Sequence, residues 1–266
     1  MFMQNLGERC RMCGSLELKK LFSADFRQFR LDYFECSNCS YVQTQKPSWL
    51  HIAYSDVIND SDVGLIRRNK TNARLTAVVI SLLGLKNPLV LDACGGNGML
   101  TRILRDYGFN AYWSDPYCQN MFANRFEKKE DQRFDICTSF EAFEHFVDPL
   151  EDIQKLFECA PSIFFSTMLI PDPAPNPIDW WYYGLDHGQH IGFYRIKTLE
   201  FIARHYGKSL YTDGNQYHLL SNKKISPFAM RIFCFLSRSD LFLKIFKKKS
   251  LTIKDYEFIS RSVRLG

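Results

Sequence analysis

Residues 89–104, LVLDACGGNGMLTRIL, carry an acid and a glycine turn at the end of an apolar run. Glycine lets a backbone approach a ligand closely because it adopts conformations that other residues avoid. A phosphate-binding P-loop needs Lys followed by Ser or Thr after its last glycine, and here Met99 and Leu100 follow. A nicotinamide fingerprint needs a small third residue, where this chain has Thr101. The sequence therefore disfavours both a nucleotide bound by a P-loop and a nicotinamide dinucleotide.

Two acids at the ends of consecutive predicted strands indicate a ligand without phosphate. Asp92 closes the first strand, and a carboxylate facing the cleft would repel a pyrophosphate and hydrogen-bond an ammonium group. Asp115 closes the next strand, where it can accept both hydroxyls of a ribose. An amino-acid ammonium, a ribose and no phosphate together indicate S-adenosylmethionine as the cofactor.

The turn resembles the first motif of class I S-adenosylmethionine-dependent methyltransferases, acid-x-Gly-x-Gly-x-Gly, with Cys94 in place of the first glycine. That replacement is tolerable if Cys94 is not forced to a positive φ. Residues 134–153, FDICTSFEAFEHFVDPLEDI, resemble the fourth-strand segment of that family, and the resemblance covers about residues 86–220. It implies cofactor contacts from Asp92, Ala93, Cys94, Gly95, Gly96, Gly98, Asp115, Pro116, Ser139, Phe140 and Glu141.

Two C-x-x-C pairs predict a metal site: Cys10 with Cys13, and Cys36 with Cys39. Each spacing lets both sulfurs of one turn reach a single ion, and two such turns brought together by a hairpin complete a four-thiolate zinc site. The intervening segment reads as strand–turn–strand. The alternatives are four incidental buried thiols or a redox dithiol, for which one pair suffices. Zinc here would be structural, since no coordination position is left for water or substrate.

Residues 170–194, IPDPAPNPIDWWYYGLDHGQHIGFY, form the candidate acceptor side. The tandem aromatic residues can stack on a sugar or pack under a lid. A histidine near neutral pKa suits removal of a hydroxyl proton, whereas carbon methylation would need a base that enolises a keto-sugar. The preferred base is His190, followed by His187, His145 and Tyr183; the competing interpretation is that the histidines serve only in packing.

The cysteine pairs and residues 186–207, DHGQHIGFYRIKTLEFIARHYG, resemble a narrower bacterial group of sugar-modifying enzymes that includes zinc-bearing sugar C-methyltransferases. This resemblance implies a sugar, nucleotide-sugar or lipid-linked glycan substrate in deoxysugar or cell-surface polysaccharide biosynthesis. The alternatives are an NAD(P)-dependent oxidoreductase and a non-catalytic cofactor-binding scaffold whose zinc segment recruits a partner. The sequence leaves open whether oxygen, nitrogen or carbon is methylated.

The elements that position these residues alternate between strand and helix, which predicts an α/β, doubly wound, Rossmann-like and mostly parallel sheet. Strands are expected at 110–115, 134–140 and 162–169, and helices at about 61–85, 119–126, 149–160 and 194–206. Four parts are predicted: a zinc-ribbon-like segment (1–48), a helical linker (49–85), the methyltransferase core (86–222) and a C-terminal amphipathic helical extension (223–266).

Composition narrows the class of partner and the compartment. The net charge is +5, with much of the excess in 244–250 rather than in a basic stripe, which disfavours nucleic acid. Nine cysteines without a signal-peptide pattern predict reduced thiols in the cytoplasm. The C-terminal part predicts helices that pack on the core or form a dimer; the sharper alternative is a cationic helix resting on anionic lipid at the inner membrane surface, although Asp240 and Asp255 dilute its basic face. The oligomeric state stays open.

Overall fold

The computed structural model describes residues 8–54, 63–226, 228–229, 232 and 248–264. The strands are β1 (Leu18–Phe26), β2 (Phe29–Cys36), β3 (Val42–Thr44), β4 (Leu89–Ala93), β5 (Asn110–Ser114), β6 (Ile136–Ser139), β7 (Ile163–Ser166), β8 (Gly192–Phe193), β9 (Ser209–Thr212) and β10 (Tyr217–Ser221). The α-helices are α1 (Leu50–Ala53), α2 (Leu65–Leu82), α3 (Met99–Asp106), α4 (Pro149–Cys159), α5 (Ile196–His205) and α6 (Thr252–Arg264).

The larger sheet has six strands in the order β5-β4-β6-β7-β10-β9. β4 is parallel to β5 and β6, β6 is parallel to β7, and β10 is antiparallel to both β7 and β9. The apolar faces of α2 and α3 share one buried cluster with the sheet, and those of α4 and α5 share another. Every residue of β6 and β7 is buried, as expected for strands covered on both faces. The predicted α/β doubly wound fold is confirmed.

A smaller antiparallel sheet, β1-β2-β3-β8, joins the N-terminal hairpin to the chain beyond β7. The strand–turn–strand reading of the segment between the cysteine pairs matches β1 and β2. The fourth strand, β8, pairs with β3 through Val42 opposite Phe193 and Gln43 opposite Gly192. The four-part division of the chain stays a prediction, but the hairpin shares its sheet with the residues that directly follow His190.

The predicted helix over 119–126 is wrong, because this stretch forms bends and turns. The backbone N–H groups of Met121 and Phe122 donate to the carbonyl of Asn97, and that of Ala123 donates to the side chain of Asn120. Side-chain and distant acceptors thus take the donors that a helix would use. The other predicted helices are present: α2 ends before Gly84, and residues 61–62 lie outside the described part of the chain.

The C-terminal helix α6 packs against α3. Asp255 of α6 is 4% exposed, and its two carboxylate oxygens accept from Arg105 at 2.8 and 2.6 Å. Asp255 therefore anchors the helix instead of diluting a basic face. Part of the predicted extension, including the basic run 244–247 and Asp240, lies outside the described residues. Within the described part of the chain, no helix has both the length and the apolar character needed to cross a bilayer.

Candidate functional site

The two cysteine pairs meet at one point. The sulfurs of Cys10, Cys13, Cys36 and Cys39 all lie within 4.8 Å of one another, and three of these residues are buried. Sγ of Cys10 is 3.6 Å from Sγ of Cys39, and Sγ of Cys13 is 3.5 Å from Sγ of Cys36. These separations are far beyond a disulfide bond and suit a tetrahedral ion with metal–sulfur bonds of about 2.3 Å. The geometry and the donor set fit zinc.

The cysteine cluster is also tied to the chain around His190. Arg11, inside the first C-x-x-C pair, donates from its guanidinium to the carbonyl of Ile191 at 2.5 Å. Thr198 of α5 donates from its hydroxyl to the carbonyl of Cys39 at 2.9 Å. Three of the cysteines belong to the buried cluster that includes α4, α5 and β7. An ion bound by the four cysteines would therefore lie against the hydrophobic core.

The glycine turn follows β4, and Asp92 lies beneath it. This carboxyl is 2% exposed, and its oxygens accept from the hydroxyls of Thr101 at 3.0 Å and Thr138 at 3.2 Å. Burial, opposed by these two hydrogen bonds, raises the pKa of Asp92 to about 7. The expectation that Asp92 faces the open cleft is corrected, because α3 and β6 pack over it. It supports the turn from below.

The turn contains a left-handed residue that is not glycine. Cys94 adopts a positive φ, of 55°, and this conformation costs a non-glycine residue about 1–2 kcal/mol. Gly96 and Gly98 have φ values of 55° and 86°. At Gly98 a Cβ atom would also meet the side-chain oxygen of Asn120 at 2.6 Å. The segment after β5 therefore packs directly on the turn.

Asp115 connects the end of β5 to the same turn. One carboxylate oxygen accepts from the backbone N–H of Gly96 at 2.9 Å, and the other accepts from Tyr117 and Cys118 at 2.8 Å each. Parallel register brings these ends together, since Ala93 lies opposite Ser114. Asp115 is only partly buried, and each carboxylate oxygen has two lone pairs, so acceptor capacity remains for ligand hydroxyls.

We expect Asp115→Ala to weaken the binding of S-adenosylhomocysteine by roughly 1–3 kcal/mol, because hydrogen bonds to the ligand and to the turn are lost. Titration calorimetry measures this change, and Asp25→Ala, at an exposed position of β1, is the control. Asp115→Asn keeps the side-chain shape and separates the charge from the geometry. Unchanged affinity in both Asp115 variants would exclude contact between this side chain and the ligand.

The other predicted cofactor residues surround the ends of β4, β5 and β6. Ser139 ends β6, is buried, and has a hydroxyl without a hydrogen-bond partner in the described structure. Phe140 packs edge-on against Phe164 and Tyr217 in the core. Glu141 has a φ of 53° and is held by Ser166. Ala93 and Gly95 flank Cys94, and Pro116 is exposed.

Three histidines come together on the acceptor side. The ring of His190 lies 4.8 Å from the rings of both His145 and His187. Burial lowers the pKa of His145 to about 3, places that of His190 well below its ordinary value and lowers that of His187. All three imidazoles are therefore neutral near pH 7, as a base or a metal ligand requires.

The hydrogen bonds of the three rings indicate which ring nitrogens carry a proton and which can accept one. Nδ1 of His190 lies 2.6 Å from the carbonyl of Tyr182, so Nδ1 carries the proton and Nε2 holds a free lone pair. Nδ1 of His187 accepts from the backbone N–H of Gln189 at 3.1 Å, which occupies its lone pair. Nδ1 of His145 lies 3.0 Å from the hydroxyl of Tyr54. Of the three, the tautomer suits His190 best as a base.

Glu144 was not among the predicted site residues, although it precedes His145. Its side chain is fully buried, and neither carboxylate oxygen has a hydrogen-bond partner in the described structure. Burial, reinforced by the charge of Glu141, raises its pKa to about 8. The side-chain atoms of Glu144, His145 and His190 that can ligate a metal lie within 4.8 Å of one another. The adjacent acid and histidine in FEHF were the available signal.

Tyr183 is corrected as a candidate base. Its ring is buried among Phe22, Tyr33 and Phe193, and its hydroxyl donates to the carbonyl of Pro175 at 3.0 Å. Burial raises the pKa of this phenol above its ordinary value. A side chain enclosed in this way supports the loop that carries the histidines.

Residues 67–211 match a family model described as a methyltransferase domain. None of the curated proteins matches the chain. Solved structures resemble it weakly. An O-methyltransferase family protein from Burkholderia thailandensis is 12% identical with a TM-score of 0.45, and the match covers 66% of this chain and 63% of that one.

The 1,6-didemethyltoxoflavin-N1-methyltransferase of Burkholderia thailandensis is 16% identical with a TM-score of 0.46, and the match covers 78% of this chain and 100% of that one. Human N-acetylserotonin methyltransferase is 14% identical with a TM-score of 0.39, and the match covers 66% of this chain and 66% of that one.

Proposed function

This chain belongs to the methyltransferase-domain family, and on that premise we propose that it transfers a methyl group from S-adenosylmethionine to an oxygen or carbon atom of a small sugar or glycan precursor. The observation that carries the proposal is the junction of Asp115 with the glycine turn, which lines up the ends of β4 and β5. The proposed acceptor side is the histidine cluster beyond β7.

When bound, S-adenosylmethionine supplies an activated methyl group on a positively charged sulfur. Asp115 and the glycine turn would hold this cofactor, whose sulfur would keep the electron pair of the bond to the transferred methyl group. The acceptor proton must leave, and we assign it to Nε2 of His190, whose Nδ1 proton is held by the carbonyl of Tyr182. Positioning and proton removal are then what the chain contributes.

The proposal of a sugar acceptor rests on the resemblance of the cysteine pairs and the histidine loop to sugar-modifying enzymes. Around that loop, Trp181 is 73% exposed and, with Pro177, Trp180, Leu185 and Asp186, lines a shallow pocket. An exposed indole ring is suited to stacking on a sugar face. The methylated atom is decided by assay with nucleotide-linked sugars and keto-sugars, followed by mass and NMR analysis of the product.

We expect S-adenosylhomocysteine to raise the melting temperature, and NADH and ATP to leave it unchanged, because a ligand that binds only the folded state stabilises it. The measurement is thermal unfolding at ligand concentrations far above the dissociation constant. Stabilisation by NADH equal to that by S-adenosylhomocysteine would instead support an oxidoreductase. Cofactor binding without turnover on any sugar tested would support a non-catalytic scaffold.

We also propose that Cys10, Cys13, Cys36 and Cys39 hold one structural zinc ion, for which their sulfur separations are the support. Cys10→Ser is expected to lose this zinc and to lower the melting temperature of the whole chain, since the cysteines pack in the main core cluster. Cys159→Ser is the control, because Cys159 also packs against that core but is not one of the four clustered cysteines. Elemental analysis of protein purified without chelators, giving no zinc in the wild type, would contradict the assignment.

A further inference from the structure

Glu144 is a fully buried carboxyl group without a hydrogen-bond partner on either oxygen. The hydroxyls of Tyr182 and Thr167 approach it and favour its charged form, but neither meets hydrogen-bond geometry, and the Thr167 hydroxyl is itself unpartnered within the described structure. Ionising a buried carboxyl group that has no partner costs several kcal/mol by general estimates. A cation beside Glu144 would remove that cost.

The two histidines beside Glu144 are prepared as ligands. His190 directs one ring N–H to the carbonyl of Tyr182, which leaves Nε2 unprotonated. Histidines that bind metals almost always donate their other ring N–H to such an acceptor. Nδ1 of His145 lies 3.0 Å from the hydroxyl of Tyr54, and displacing that hydroxyl would free the Nδ1 lone pair for an ion.

We propose that Glu144, His145 and His190 bind one divalent transition-metal ion, separate from the four-cysteine site, and that a bound ion removes His190 from its role as base. Two imidazoles and one carboxylate are a donor set that zinc accepts while keeping a further position open. The ion would occupy the lone pair of Nε2 that otherwise takes the acceptor proton. The loss of this role of His190 rests on the proposed function, whereas metal binding does not.

The donor types of the two sites allow them to be distinguished. Cobalt(II) added to protein whose cysteine site is already filled with zinc is expected to give visible ligand-field bands for one further ion per chain. These bands should lack near-ultraviolet thiolate charge transfer, because no sulfur belongs to this donor set. Cobalt bound only with thiolate charge transfer, or no further cobalt at all, would overturn the proposal.

Substitutions test the ligands directly. Glu144→Gln and His190→Ala should each weaken cobalt binding at least about tenfold. His205→Ala and Glu158→Gln, at exposed positions on α5 and α4, should leave it unchanged. Retained thermal stabilisation by S-adenosylhomocysteine is the check that each variant is folded, and Glu144→Gln keeps the volume of the buried side chain. Equal cobalt affinity in wild type and folded Glu144→Gln would exclude Glu144 as a ligand and overturn the site.

Measurements of turnover test whether the bound ion inhibits methyl transfer. In the wild type, methyl transfer should fall in parallel with the growth of the cobalt bands, and a chelator should restore it. Full turnover at saturation of the bands would overturn the inhibitory role. If metal-free protein methylates no acceptor, the proposed function fails, while the cobalt titration still decides whether the metal site exists.

Discussion

His190→Ala is expected to lower turnover by about a hundredfold or more while leaving affinity for S-adenosylhomocysteine nearly unchanged. Loss of a general base typically costs a factor of 10² to 10⁴, and it acts on the chemical step rather than on cofactor binding. The structural reason is the tautomer of His190, whose Nε2 lone pair is free because Nδ1 donates to the carbonyl of Tyr182. Turnover and melting temperature are measured together, with His205→Ala as the control.

His190→Asn separates catalysis from packing. The asparagine amide can occupy the position of Nδ1 and keep the hydrogen bond to Tyr182, but it offers no lone pair in place of Nε2. We expect His190→Asn to recover part of the stability lost in His190→Ala without recovering turnover. If Asn restores both, His190 only supports the loop, and the proton leaves by another route. His187→Ala should cost less than His190→Ala, because Nδ1 of His187 already accepts from Gln189.

The fold was predictable because it depends on local patterns that tertiary contacts reinforce. Apolar runs that end in glycine or acid, alternating with amphipathic stretches, are enough to indicate a parallel sheet with helices on both faces. The two C-x-x-C pairs were equally informative, since the predicted meeting of all four sulfurs at one point is what the structure has. In both cases, the residues that make the pattern are also the residues that make the contacts.

The errors arise where a distant contact decides the outcome. The stretch 119–126 has a helical composition, but Asn97 and Asn120 take its backbone donors. Asp92 closes a strand, yet Thr138, from a strand 46 residues further on, covers its carboxyl. Tyr183 adjoins the histidines in sequence, whereas its ring turns into the hairpin core. Side-chain direction at a strand end or in a loop depends on packing partners that a single sequence does not identify.

Glu144 shows the same limit for the site itself. An acid beside a histidine at the start of a loop reads equally as a helix end, and only the three-dimensional arrangement shows that its carboxyl is buried without a partner. His190 lies 46 residues from Glu144, and their meeting depends on the backbone hydrogen bond from Ile191 to the carbonyl of Glu144 at 2.9 Å. The loop histidines were predictable as a group, but their carboxylate partner was not.

Asp255→Ala is expected to lower the free energy of unfolding by about 3–5 kcal/mol, the range for breaking one partner of a buried ion pair. Arg105 is 5% exposed, and without Asp255 its guanidinium would lose two hydrogen bonds, of 2.8 and 2.6 Å. Its remaining contacts carry no negative charge: the side-chain oxygen of Asn110 at 3.0 Å, the carbonyl of Ala111 at 2.9 Å and the ring face of Phe126 at 3.5 Å.

Denaturant titration measures the change, and Glu151→Ala is the matched control, since its ion pair with Lys155 is solvent-exposed and contributes little to stability. Because the cost arises from an uncompensated charge, the double variant Arg105→Met with Asp255→Leu should recover most of the lost stability. A loss below about 1 kcal/mol in Asp255→Ala would mean that α6 does not remain docked on α3 in solution. A double variant no more stable than Asp255→Ala would place the cost in lost packing rather than in the buried charge.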